Sequence, residues 1–94
     1  MGVLLGFSLP GFAVARAVPG CVDVSFYAVY RVGYDHIVHL ANHCDKSAVC
    51  TVTTNVNPDP IIVTVPARED LDVLTFRGSP ARVFTPHVTC QDSK

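Results

Sequence analysis

From Val22 onward, apolar and polar residues alternate with a period of two, and no window keeps an apolar residue at helical spacing for three turns. β-Branched and aromatic residues dominate, so the stretch reads as strands. The first, Val22 to Val32, puts Val24, Phe26, Ala28 and Tyr30 on the expected core face and Asp23, Ser25, Tyr27, Val29 and Arg31 on the other. Gly33 ends it. The second, about Asp35 to Cys44, sets His36, Val38, Leu40 and Asn42 against Ile37, His39, Ala41 and His43, and the pattern alone does not choose its inner side.

The third strand, about Val49 to Val56, alternates Cys50, Val52, Thr54 and Val56 with Val49, Thr51, Thr53 and Asn55, as expected where one face is buried and a threonine-rich face meets solvent. Asn57-Pro-Asp-Pro60 then removes two amide donors, so this corner belongs to no central ladder. The fourth strand, Ile61 to Val65, is stopped by Pro66, and Ala67 to Asp70 is a polar hairpin turn into the fifth, Leu71 to Arg77. Gly78-Ser-Pro80 stops that strand, and the sixth runs from about Val83 to Cys90.

Six or seven short strands with short connections predict an all-β fold, a small antiparallel two-sheet sandwich stapled by disulfides, with an open β-barrel as the alternative. Its architecture looks immunoglobulin-like, although the tryptophan that packs between the bridging cysteines of that fold has no counterpart, since the chain contains no Trp.

Residues 1–17 read differently. Met1 to Ala15 is apolar, too short to span a bilayer as a helix, and interrupted by Pro10-Gly11; Ala13-Val-Ala15 and Ala15-Arg-Ala17 offer small-x-small cleavage patterns. The segment is expected to be a signal peptide, the alternative being a first strand or buried arm, and residues 18–94 are expected to form a single β domain. No basic residue precedes the apolar run.

Composition narrows the function classes. The chain is 49% hydrophobic but only 16% charged, so much of its surface is expected to be uncharged. Its formal net charge is −1 and its seven Lys and Arg are scattered, which leaves no electrostatic footprint for nucleic acid or, after signal cleavage, for a membrane.

Four cysteines behind an export signal are expected to form two disulfides, because an oxidising compartment favours the bond and a core this small needs it. The favoured pairing is Cys44 with Cys50 across a hairpin and Cys21 with Cys90 between first and last strands; Cys21 with Cys44 and Cys50 with Cys90 is the alternative. A zinc or copper site drawn from His43, His87 and His39 with cysteines is the sharper rival reading. Cys44 and Cys50 are separated by five residues, more than a zinc knuckle uses, and on a strand His39 and His43 lie about 13 Å apart. Surface histidines on a polar sheet face are the simpler expectation for His36, His39 and His43.

No catalytic constellation stands out. Ser25, Ser47 and Ser79 sit outside any nucleophile elbow, and the carboxylates of Glu69, Asp70 and Asp72 read as a polar turn. Asn55, Asn57 and Asp59 lack the glycine and distal glutamate of a calcium loop, and no Asn-x-Ser/Thr glycosylation site occurs. Gly78 to Arg82 resembles an inhibitor loop only in carrying an arginine near a proline.

These readings favour a non-enzymatic secreted or cell-surface module for structural assembly or protein binding, without a cofactor. Metal binding or a small protease inhibitor are the alternatives. The expected interaction face is Val49, Thr51, Thr53 and Asn55, used for a protein partner or for self-association. Amino-terminal sequencing of exported protein is expected to start near Arg16 or Val18; recovery of extracellular protein that still carries Met1 to Ala15 overturns the signal-peptide reading.

Overall fold

A computed structural model of the chain describes residues 19–92, so the expected leader at residues 1–17 lies outside the described residues. Six strands follow in order: β1 (Val22–Arg31), β2 (Gly33–Asn42), β3 (Ala48–Thr54), β4 (Ile61–Val65), β5 (Asp70–Ser79) and β6 (Pro86–Asp92). They form two separate antiparallel three-stranded sheets, β1-β2-β5 and β4-β3-β6. The chain is therefore a small open sandwich, as its alternation implied, and not a barrel.

The inner side of β2, which the pattern left open, is the face carrying His36, Val38, Leu40 and Asn42, all at 1% exposure or less. Facing it are Ala48, Cys50 and Val52 of β3, with Val65, Val73 and Cys90 completing a core of mostly small side chains. The two central strands, β2 and β3, are consecutive in sequence but belong to opposite sheets. Segment 43–47 is thus a crossing between layers.

That crossing corrects the favoured disulfide pairing. Cys44 is bonded to Cys21, and Cys50 to Cys90. No hairpin joins Cys44 to Cys50, because the strands on either side do not pair, and β1 and β6 lie in different sheets, which separates Cys21 from Cys90. Instead the His43 amide donates to the Cys21 carbonyl at 2.8 Å, bringing Cys21 alongside Cys44, whose Cα lies 5.2 Å away. Cys50 and Cys90 face each other in the β3–β6 ladder, with Cα atoms 4.0 Å apart. With sequence separations of 23 and 40, the chain-entropy model assigns each bridge about 3 to 4 kcal/mol.

The polar turn before β5 is likewise no hairpin, since β4 and β5 belong to different sheets. It closes through a bond from the Glu69 amide to the Pro66 carbonyl at 3.2 Å, with Arg68 at φ 65°. Both crossings converge on Asn42. Its Nδ2 donates to the carbonyls of Lys46, Val65 and Pro66 at 2.9, 3.0 and 3.2 Å, while its Oδ1 accepts the Cys44 amide at 2.9 Å. At the other end of the sandwich, Asn57 Nδ2 reaches across to the Thr75 carbonyl at 2.7 Å, and Thr54 Oγ1 accepts the Asn57 amide at 2.8 Å. Thr75 is the extra residue where the β2–β5 register slips between His36 and Ile37.

The assignment of Phe26 and Tyr30 to the core is also corrected: they are 50% and 67% exposed, although Val22 and Val24 on the same face are buried and half-buried. Two causes act. Phe26 lies opposite the buried Val38 but on edge strand β1, where only part of its ring is covered. Tyr30 stands near the hairpin tip, and β1 and β2 have ten residues each, whereas β3 has seven and β4 five, a difference of about 10 Å. The tip turns on Val32 between paired Arg31 and Gly33. Gly33 has φ 92°, and a Cβ there would lie 2.7 Å from the Gly78 carbonyl carbon, so only glycine fits.

Replacing Asn42 by Ala leaves buried carbonyls at both crossings without donors, and is expected to lower unfolding free energy by about 3 kcal/mol. Urea denaturation measures this, and a loss below about 1 kcal/mol would contradict the role given to Asn42.

Candidate interaction surface

Val49, Thr51 and Thr53 are half-buried on the outer side of the second sheet, beside Thr64 and Ile62 of β4 and Gln91 and Thr89 of β6. Ile62 is 67% exposed there. A depression of about 200 Å³ opens on this face, lined by Val49, Thr51, Thr89, Cys90 and Gln91. Asn55 lies past the end of β3, where its Oδ1 accepts the Thr85 amide at 2.7 Å and its own amide donates to the Thr85 carbonyl at 3.1 Å. It anchors the β5–β6 connection.

The histidines are dispersed. His39 is on the outer face of the first sheet and His87 on the outer face of the second, while His43 at the rim faces Asp23, with Nε2 3.1 Å from Oδ2. Among the described residues, no three His, Cys, Asp or Glu side chains come together as a metal site. His36, expected at the surface, is fully buried: its ring stacks on Phe84 with centroids 4.1 Å apart, and its Nε2 lies 2.7 Å from the Ala81 carbonyl. Donation to that carbonyl puts the proton on Nε2, and Nδ1 has no partner. The alternation had put His36 on a face with Val38 and Leu40; it did not reveal the loop that closes over it.

A second surface, not anticipated from the pattern, lies on the first sheet. Tyr27, Ile37 and Leu74 line up across β1, β2 and β5, and next to them stands the row Ser25, His39 and Asp72. Tyr27 OH donates to Asp72 Oδ2 at 3.2 Å. His39 Nδ1 lies 2.6 Å from the other Asp72 oxygen, and its Nε2 lies 3.3 Å from Asp70. Only the imidazolium donates from both nitrogens, so this geometry holds the charged ring. Toward the hairpin tip, Ile37 and Leu74 floor an open groove of about 510 Å³ with Arg31 and Arg77 on its rim. Near the hairpin tip, Tyr30 packs edge-on against Tyr34 with centroids 5.0 Å apart, and farther along β1 Phe26 packs edge-on against Phe84 at 5.4 Å.

Edges matter as much as faces. β1 ends the first sheet, and its central run Val24 to Tyr30 has no charge, proline or glycine. The other edges are blunted: β4 sits between Pro60 and Pro66, β6 begins at Pro86, and β5 carries Asp70, Asp72 and Arg77. No family model, curated protein or solved structure matches the chain.

The hydrogen bond to Asp72 raises the His39 pKa above its ordinary 6.5, against a smaller opposing desolvation and with further help from Asp70. A folded-state value above the unfolded one means that this contribution is complete below about pH 6.5 and is lost as pH rises through the folded value. The stability advantage of the wild type over Asp72→Asn is therefore expected to shrink as pH rises across that window. Proton NMR is expected to place the His39 midpoint above 6.5 and to show it fall in Asp72→Asn; an unchanged midpoint contradicts the assignment.

Proposed function

We propose that the protein is a non-enzymatic, secreted or cell-surface β-sandwich module that works by protein binding or structural assembly. The observation that carries the reading is the placement of Phe26, Tyr27 and Tyr30, between 44% and 67% exposed, on an unblunted edge strand. Aromatic side chains left in water on a domain with so small a core are what a partner would cover. The two disulfides are typical of proteins outside the reducing cytosol, which supports export. The uncharged outer face of β3 offers a second contact area.

The test is retention of purified protein on arrayed extracellular proteins, with the chain itself among them. Wild type is expected to bind at least one target, and either Tyr27→Lys with Tyr30→Lys or Thr51→Lys with Thr53→Lys is expected to abolish retention, because a covered strand surface does not tolerate buried ammonium groups. Circular dichroism checks that each variant stays folded. Retention of nothing, or retention unchanged by both pairs, overturns the proposal.

A further inference from the structure

We infer that the β1 edge pairs with the β1 edge of a second copy, joining two first sheets into one six-stranded antiparallel sheet about a two-fold axis at Tyr27. This rests on the assembly reading above and names its occupant. Among the described residues, the ladder itself shows which backbone groups are free. The Cys21 carbonyl accepts from His43 on the β2 side, whereas the Val22 amide points the other way, to the Pro19 carbonyl at 3.0 Å. The β1–β2 register runs without a slip from Val22 to Arg31, so alternation turns the amides and carbonyls of Val24, Phe26, Ala28 and Tyr30 to the open edge.

A symmetric antiparallel pair must match edge-facing residues with edge-facing residues, which permits only registers two residues apart. The register centred on Tyr27 sets Phe26 against the partner's Ala28 and Val24 against the partner's Tyr30, large beside small on the inner face. On the outer face it puts Asp23 opposite the partner's Arg31, and by symmetry does so twice. The adjacent registers would put Asp23 opposite Val29 or Gly33 instead. Asp23 and Arg31 are 74% and 73% exposed and, among the described residues, are held only by contacts to His43 at 3.1 Å and Asp35 at 3.7 Å, so both charges are available. Opposite charges at the two ends of an uncharged strand make it complementary to itself when antiparallel. The two-fold axis closes the assembly at a dimer.

Light scattering on the purified protein over a range of concentrations is expected to show a monomer–dimer equilibrium. Asp23→Arg alone or Arg31→Asp alone is expected to weaken dimerisation roughly tenfold, and the two together to restore it. Tyr27 meets its own copy at a position without backbone hydrogen bonds, where Cα atoms approach to about 4.5 Å. Tyr27→Cys is therefore expected to give a reducible covalent dimer, and Ser25→Cys is not. A strict monomer, the result if residues before Pro19 cover this edge, overturns the inference. So does a dimer indifferent to the charge exchange and uncrosslinked by Tyr27→Cys. A monomer that still binds an arrayed protein would sink the dimer and leave the binding function standing.

Discussion

The sandwich depends on one buried amide. Asn42 is the last residue of β2, and its single side chain supplies hydrogen bonds to the 43–47 crossing and to the carbonyls where β4 leaves the second sheet. Two layers of three strands bury little apolar area, so backbone groups stranded at the crossings would be costly if unpaired. The Cys21–Cys44 bridge sits immediately beside this amide and restrains the same crossing covalently. Asn57 and Thr54 do comparable work at the opposite end, where Asn57 reaches a carbonyl exposed by the Thr75 bulge.

Unequal strand lengths decide where the molecule is sticky. A second sheet of shorter strands covers the part of the first sheet nearest the disulfides, and the connection between β5 and β6 extends that cover with Phe84 and Ala81 over His36. Beyond it the β1–β2 hairpin continues as a two-sided ribbon. Tyr30 stands on that ribbon, while Phe26 and Tyr27 stand farther along the same edge strand; among the described residues none of the three is buried, and they lie on the edge that prolines and charges leave open. Stability and association thus draw on different halves of the same strands.

The outer face of the first sheet adds a charged element to this apolar ribbon. Asp72 holds both Tyr27 and His39, which orients the Tyr27 ring on the strand proposed to pair and links its placement to the charge of a histidine. The buried His36 has a different setting: its one satisfied nitrogen faces a loop carbonyl and its ring stacks on Phe84.

The sequence by itself determined the strand content, the turn positions and the facing of β3, because period-two alternation and proline or glycine stops act over a few residues. It also placed Val38 and Leu40 with His36 and Asn42 on one face, without saying which face was buried. Which strands pair was not legible: the segment between Cys44 and Cys50 has the length and polarity of a hairpin turn and equally those of a crossing, and local geometry does not distinguish them. Only the tertiary structure decided that β2 and β3 lie in different sheets, and with that the disulfide partners, the burial of His36 and the bridging role of Asn42. It likewise decided that Phe26 and Tyr30, patterned as core, are exposed. Burial depends on whether another layer reaches a position, and that is set by the relative lengths and stacking of strands far apart in the chain.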